Sequence, residues 1–490
     1  MKRAAGEKRE YRSLMKEAFY ISTALPYVNS APHLGFALEI VQADVYARRQ
    51  RLLNKEVFFL TGADENSLKN VQAAKEEGIS VKELVGRNAG RFFALQKTLN
   101  LSFDDFIRTT EDRHVEGARK LWLACQKDIY KKKYRGLYCV GCEGFYKEGE
   151  LIDGLCPEHK TKPELIEEEN YFFKLTKYSK AIQGLIENDK VKIVPESRKN
   201  EVLNFIKSGL DDICVSRSAE RAQGWGIPVP DDSSQIVWVW FDALSNYINA
   251  LDYAEDGQKF EKWWQQNDEN IIHFIGKGIL RFHAIYWLAM LISAGLNLPD
   301  TIFVHGYLTI GGQKMSKSLG NAADPFGIAE EYGADAVRYF LLAEFSPIED
   351  GDFTLEKFKI RYNADLANGL GNFAARVSAL KNQFLETQLL KIEKTTNDKI
   401  EETEKTVARK LEEFKFNEAL AAVWELIAFG DKHINQTQVW KITDLKLKNQ
   451  IISNLTAILN SVAAILNPFM PETAARITHL KKGDILFPRR

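Results

Sequence analysis

From Ala18 to Glu77 the chain alternates short runs suited to buried strands with longer runs at helical spacing, and this alternation narrows the fold more than any other feature. Ala18 to Ala24 reads as a strand. After a loop from Pro26 to Pro32, the apolar residues Leu34, Ala37, Leu38, Val41 and Val45 recur at helical spacing. Val57 to Leu60 is a second strand run, ending in Thr61-Gly62 and followed by helical sequence from Ser67 to Glu77. Strand, loop, helix and strand in that order imply a parallel sheet with crossover helices, whose ligands lie beyond the carboxyl ends of the strands.

Between about 127 and 235 the pattern breaks into short strands, a cysteine-bearing loop and charged helices, and it resumes with Ile236 to Phe241, Ile271 to Ile275 and Thr301 to Val304. One α/β sheet split by an inserted domain is the simplest account. After about Glu356 the strand signals stop, and Ile451, Ile452, Leu455, Ile458, Leu459, Val462, Ile465 and Leu466 form one wide apolar stripe of a helical bundle. The charged run Lys391 to Glu413 reads as a solvated helix pair and loop. The expected domains are therefore 1–126 and 236–318 for the two α/β halves, 127–235 for the insertion, 319–360 for a linker and 361–490 for the bundle.

A chain of 490 residues is too long for one core, and 45% hydrophobic with 27% charged residues is the balance of an ordinary globular protein. No apolar run reaches the roughly eighteen residues that span a bilayer. Met1 to Lys16 lacks the hydrophobic block of a secretion signal, and Glu7, Glu10 and Glu17 count against a transit peptide, so a cytoplasmic protein is expected. A net charge of −1 excludes a bulk electrostatic footprint for nucleic acid. An RNA partner would need local patches such as Lys131, Lys132, Lys133 and Arg135, or Lys481, Lys482, Arg489 and Arg490, and either patch alone reads as a solvated face.

Ala31-Pro32-His33-Leu34-Gly35-Phe36 lies where a strand and loop hand over to a helix, so backbone N–H groups and the positive dipole end are placed to meet phosphate, with His33 as a further donor. Gly35 leaves room for a purine or ribose. Far downstream, Gly311-Gly312-Gln313-Lys314-Met315-Ser316-Lys317-Ser318 is a glycine-flanked loop with two lysines and two hydroxyls, suited to a polyphosphate. Cys139-Val140-Gly141-Cys142 and Cys156-Pro157-Glu158-His159 make a C-x2-C followed by C-x2-H, a structural-zinc pattern with no ligand position left open for water. Cys125 and Cys214 fall outside it and read as buried small hydrophobes. Trp240, Ala243 and Tyr247, and likewise Phe282, His283 and Tyr286, would crowd one helix face each, a pattern that core aromatics also produce.

The paired histidine and lysine motifs resemble those of class I aminoacyl-tRNA synthetases, and segments over nearly the whole chain resemble the methionyl family. The resemblance implies a Rossmann-type parallel-sheet catalytic domain split by a zinc-bearing connective insertion and followed by an α-helical anticodon-binding bundle. It implies L-methionine, ATP with Mg²⁺ and tRNA(Met) as partners. His33, Lys314 and Lys317 would be catalytic, and His33, Gly35, Lys314, Met315, Ser316, Lys317 and Ser318 would bind ATP. Ala24, Leu25, Tyr27, Asp64, Trp240, Ala243, Tyr247, Phe282 and His283 would form the methionine pocket, with Asp64 holding the substrate ammonium. Read in isolation, Asp64 is equally a turn aspartate after Gly62. Cys139, Cys142, Cys156 and His159 would hold one zinc, and Asn372, Arg376 and Trp440 would read the anticodon.

Two positions depart from the family pattern: Phe36 stands where a second histidine is usual, and Gly278 where an aspartate binds the ATP ribose. Rival readings are another class I synthetase, cysteinyl or leucyl, and an inactive synthetase-derived RNA-binding protein. No domain beyond the bundle is expected, and with that a monomer; the lack of a bilayer-spanning apolar run makes membrane attachment unexpected.

Overall fold

The computed structural model describes residues 17–141, 144–157, 160–267, 269–315, 323–384, 389–481 and 483–490. They fall into two compact units: one holds the described residues up to Pro32 with Gln50–Gln96 and Ser102–His305, the other His33–Arg49, Lys97–Leu101 and Gly306–Arg490.

The first unit is built on a six-stranded sheet. Its strands are β1 (Ala18–Thr23), β2 (Glu56–Ala63), β3 (Asp105–Arg108), β4 (Lys192–Val194), β5 (Ile271–Gly276) and β6 (Thr301–His305), in the spatial order β3-β2-β1-β5-β6-β4. Every neighbouring pair is parallel. Burial on both faces explains the continuous apolar runs of β5 and β6, which are buried almost throughout. The edge strand β4 comes from within 127–235 and pairs with β6 through Ile193↔Ile302.

The helix after β1, α1 (Leu34–Leu52), and the helix Leu68–Glu77, capped by the Ser67 side chain, follow the sequence periodicity. Ile236 to Phe241 does not form the expected strand of the main sheet. Asp232–Val237 pairs antiparallel with Ser216–Ser218 and Pro228–Val229, and from Val239 the chain turns into α2 (Val239–Leu244). The backbone of Val237 and Trp238 is satisfied locally, by the carbonyls of Ile227 and Val215.

A four-stranded antiparallel sheet carries the cysteine-bearing turns. Its long pair, Ile129–Cys139 with Glu164–Phe173, sets Lys133 opposite Glu169 and Arg135 opposite Glu167. Lys131 reaches Asp232 at 2.8 Å. The basic run is thus flanked by carboxylates, as a solvated face would be.

The second unit is helical apart from short strands near Leu308–Ile310. It contains α3 (Ala334–Ala343), α4 (Asn372–Phe384), α5 (Lys394–Glu412), α6 (Phe416–Thr437), α7 (Leu445–Leu466) and α8 (Pro471–Thr478). Lys391 to Glu413 gives one long helix, α5, rather than a pair. By length and composition α7 could cross a membrane, yet 67% of its apolar window is buried, with Ile451, Ile452, Leu455, Ile458 and Val462 in the core. Asp444 caps it by accepting from the N–H groups of Lys446 and Leu447.

The interior of this unit is pinned by a charge. Arg338, fully buried on α3, pairs with buried Asp44 of α1 at 2.7 Å. Its other donors reach the carbonyls of Phe469 at 2.7 Å, Pro468 at 2.8 Å and Leu99 at 3.1 Å. One guanidinium therefore ties α1, α3 and the turn between α7 and α8. Replacing Arg338 by leucine strips Asp44 of a buried counter-ion and is expected to cost about 3–5 kcal/mol, read as a lower urea midpoint. Adding Asp44→Leu should recover part of that loss, because the pair is then removed together.

Candidate active site

The segments leaving the carboxyl ends of β1, β2 and β5 converge in the first unit. β1 lies between β2 and β5, with Ser22 in register with both Leu60 and His273. Connections from β1 and β5 diverge there, at the topological switch point where α/β sheets take ligands.

Aromatic rings wall this end. Trp240 stacks flat on Phe282, with centroids 3.8 Å apart and planes 3° from parallel, and Tyr27 meets Trp240 edge-on at 6.4 Å. Tyr27 and Asp64 form an isolated β-bridge, in which the Asp64 N–H donates to Pro26 at 2.9 Å. Ala24 and Ala243 are buried. Leu25 packs over Gly62, where an added Cβ would come within 2.9 Å of the leucine Cδ2 and 2.1 Å of the Ile107 carbonyl. Gly62 is therefore required by close approach of the backbone.

The second group is polar at its tips. Tyr247 Oη lies 2.7 Å from His283 Nε2, and His283 Nδ1 lies 2.9 Å from the Ile279 carbonyl. A carbonyl only accepts, so the His283 proton sits on Nδ1 and Nε2 accepts from the tyrosine. Beneath the Tyr247 ring, His273 stacks at 4.1 Å. The Trp287 indole donates to His273 Nε2 at 3.3 Å, so its Nδ1–H faces Ser22 Oγ at 2.6 Å. Burial lowers His283 to about 4, and burial, with a smaller contribution from His283, holds His273 well below the usual histidine value. Both rings are neutral. The sequence pattern gave no hint of His273, whose neighbours along β5 are all apolar.

Several buried polar residues beside the pocket also escaped the sequence pattern. His114 Nε2 meets Asp242 Oδ1 at 2.5 Å, and Asn66 Nδ2 meets Asp242 Oδ2 at 2.8 Å. Glu65 pairs with Arg108 at 2.6 Å. Arg217 sits over the rings of Tyr138, Phe145 and Trp238 at 4.9, 5.3 and 5.7 Å. The available signal for the first pair was an aspartate inside the apolar run Val239-Trp240-Phe241-Asp242-Ala243-Leu244.

In the second unit, His33 is the residue before α1. The Gly35 N–H donates to His33 Nδ1 at 3.0 Å, the Phe36 N–H to the His33 carbonyl at 3.0 Å, and the Leu34 N–H to the Ala323 carbonyl at 3.1 Å. The first helical amides are therefore spoken for, against the expectation that they meet phosphate. The imidazole proton is left on Nε2. An added Cβ at Gly35 would lie 2.9 Å from the His33 ring, so the glycine makes room for this self-capping pose.

Gly311 and Gly312, with φ of 60° and 74°, form the two-residue turn between Leu308–Ile310 and Gln313–Lys314. Asp352 Oδ1 accepts from the Gly312 N–H at 3.0 Å and from Thr309 at 2.8 Å, which hold its carboxyl below the usual range. Met315 is buried. Ser316, Lys317 and Ser318 lie outside the described residues, as does the side chain of Lys314. The Ala323 carbonyl accepts from the Leu34 N–H at 3.1 Å, beside His33.

Of the zinc pattern, Cys142 and His159 lie outside the described residues. Cys139 and Cys156 are both buried and both flank Thr161: Cys139 Sγ lies 3.9 Å from Thr161 Oγ1, and the Cys156 N–H donates to the Thr161 carbonyl at 2.8 Å. Two buried thiols, one beside Thr161 and the other anchored to it through its backbone, have the chemistry of soft metal ligands. Asn372 and Arg376 lie on α4, and Trp440, 49% exposed, sits on the short turn after α6. Arg376 is held by Asp431 at 2.7 Å and Asn435 at 2.6 Å, both on α6.

The family described as tRNA synthetases class I (M) matches residues 19–162 and 149–378, and that described as the anticodon-binding domain of tRNA ligase matches 393–487. The methionine–tRNA ligase of Caldanaerobacter subterraneus subsp. tengcongensis is 39% identical over 97% of this chain and 79% of its own length. That of Rhizobium meliloti is 42% identical over 94% and 91%. The crystal structure of Mycobacterium tuberculosis methionyl-tRNA synthetase bound by methionyl-adenylate superposes with a TM-score of 0.90 at 34% identity, covering 96% of this chain and 100% of that one. The chain belongs to the class I tRNA synthetases, in their methionyl-tRNA synthetase family.

Proposed function

We propose that the chain is a methionine–tRNA ligase: it activates L-methionine with ATP and transfers the methionyl group to the 3′-terminal ribose of tRNA(Met), in the cytoplasm. The observation that carries the substrate assignment is the ring-walled group of Tyr27, Trp240, Phe282, Tyr247 and His283 beyond β1, β2 and β5, in a chain whose similar structure holds methionyl-adenylate. A thioether is apolar and polarisable, and contacts between sulfur and ring are worth about 0.3–1.5 kcal/mol each. Neutral His283 keeps charge away from that sulfur.

In the first step the methionine carboxylate attacks the α-phosphorus of ATP, the bond to the β,γ-phosphates breaks, and methionyl-adenylate and pyrophosphate form. Asp64 holds the substrate ammonium. His33 donates from Nε2 to the phosphates, Lys314 and Lys317 neutralise charge as pyrophosphate leaves, and Gly35, Met315, Ser316 and Ser318 complete the nucleotide site. Mg²⁺, bound with ATP, supplies further neutralisation of the phosphate oxygens. In the second step a ribose hydroxyl attacks the acyl carbon and AMP leaves. Asn372 and Arg376 hydrogen-bond to anticodon bases and Trp440 stacks on one.

Methionine-dependent ATP–pyrophosphate exchange tests the assignment. It should be lost in Lys317→Ala, while Trp440→Ala keeps exchange but loses tRNA charging; exchange with leucine or cysteine instead of methionine would overturn it.

His283 is expected to stay neutral across the working pH range. With histidine Cε1 labelled, its resonance, identified by its loss in His283→Gln, should titrate near 4 and not near 6.5. Because the folded value is the lower one, its stability contribution is full above pH 6.5 and is lost as pH falls through about 4.

Cys139, Cys142, Cys156 and His159 hold one structural zinc that braces the insertion. Elemental analysis should find one zinc per chain; a substoichiometric value in fresh protein, with exchange activity intact, would overturn this.

A further inference from the structure

Asp242 lies between the pocket residues Trp240 and Ala243 on α2, but its carboxylate turns away into a fully buried polar group. His114 and Asn249, which complete that group, are also fully buried. Asn249 Nδ2 approaches His114 Nδ1 at 3.3 Å and donates to the His114 carbonyl at 3.1 Å and to Ser245 Oγ at 2.7 Å. An amide N–H₂ only donates, so His114 Nδ1 is the acceptor and its proton is on Nε2, directed at Asp242 Oδ1 at 2.5 Å. The fit is close: a Cβ added at Gly117, on the helix of His114, would fall 2.0 Å from Asn249 Oδ1.

The other oxygen, Asp242 Oδ2, accepts from Asn66 Nδ2 at 2.8 Å, and the same amide donates to the Thr109 carbonyl at 3.0 Å. The backbone N–H of Asn66 in turn donates to Asp64 Oδ1 at 3.3 Å. Both neighbours of Asp242 are donors, so the position requires an acceptor at each oxygen. An asparagine there would set its own N–H₂ against either His114 or Asn66. The His114 tautomer cannot adjust, because a proton on Nδ1 would face the Asn249 N–H₂.

We propose that Asp242, oriented by His114, is a positioning residue for ammonium binding: it fixes Asn66, whose backbone N–H sets the rotamer of the Asp64 carboxylate. The proposal rests on the reading of Asp64 as the ammonium ligand. Asp242 and His114 touch no substrate. Their effect is on where a carboxylate oxygen points, so it should appear only with ligands that carry the amino group.

Two competitive probes of ATP–pyrophosphate exchange separate this from general damage to the pocket: methioninol, which keeps the ammonium and lacks the carboxylate, and 4-(methylthio)butanoate, which keeps the carboxylate and lacks the ammonium. In Asp242→Asn and in Asn66→Ala, the KM for methionine and the Ki of methioninol should rise about tenfold, the loss of one hydrogen bond to a charged group. The KM for ATP and the Ki of 4-(methylthio)butanoate should stay within about twofold of wild type, as follows if no other contact changes. His114→Gln, which keeps an N–H donor toward Asp242, should behave as wild type, and His114→Ala as Asp242→Asn. Parallel weakening of both probes in Asn66→Ala, the variant least exposed to misfolding, would overturn the positioning role. Asp64→Asn is the control: if it too weakens both probes equally, the ammonium reading fails first. If it is selective for methioninol while Asp242→Asn and Asn66→Ala are not, Asp242 alone is refuted.

Discussion

The pairing of β1 with β5 is the constraint on which the first unit depends. Tyr20, Ile21, Ser22 and Thr23 run in register with Ile271, Ile272, His273 and Phe274, partners that lie far along the chain. Once that ladder forms, the loops after β1, β2 and β5 must open at the same edge. Ala24 to Tyr27, Asp64 to Asn66 and Phe282 to His283 are then neighbours whatever the intervening insertion does. The Tyr20 hydroxyl adds a lock, donating to the Tyr247 carbonyl at 2.6 Å from inside the sheet. Tyr247 is thereby fixed from below by His273, from the side by His283 and through its backbone by Tyr20.

Such a pocket needs buried polar atoms, and each has to be satisfied or its burial costs about 1–3 kcal/mol. The buried histidines meet this with fixed tautomers, while Asn249 Oδ1 is left without a partner among the described residues. His283 carries its proton on Nδ1, His273 on Nδ1 and His114 on Nε2, each dictated by a partner that can only accept or only donate. Burial then makes protonation of His273 and His283 unfavourable, so no charge develops beside the Tyr247 ring. Rigidity and neutrality come from the same hydrogen bonds.

Much of this was legible from local pattern. β1, β5 and β6 follow from continuous apolar runs, as strands covered on both faces have, and α1 and the stripe on α7 from helical spacing. What could not be read depends on partners distant in sequence. Ile236 to Phe241 has strand composition, yet Val237 and Trp238 find their acceptors in Ile227 and Val215, so the strand serves a small antiparallel sheet and helix follows. Lys192–Val194 joins the main sheet only because β6 offers it an edge. Asp242 and His114 are ordinary in isolation and acquire meaning only as a pair. Of the candidate site, the aromatic wall was visible as residue types, whereas the tautomers and the tie from Asn66 to Asp64 were not.

The start of α1 shows how a motif's surroundings can change the physics expected of it. A helix start beside a phosphate suggests amide donors and the dipole, a contribution of about 0.3–1 kcal/mol at an exposed terminus. Here Leu34, Gly35 and Phe36 already donate to Ala323 and His33. The dipole survives, since it comes from the aligned peptides, but the directed N–H bonds do not. Under the proposed function, recognition of a triphosphate then falls to side chains, the His33 Nε2–H among them. Phe36 can add nothing to it, because a phenyl ring has neither donor nor acceptor. Under the proposed function that shift leaves more of the binding to charge, which acts over distance and tolerates the loss of an individual directed bond at Phe36.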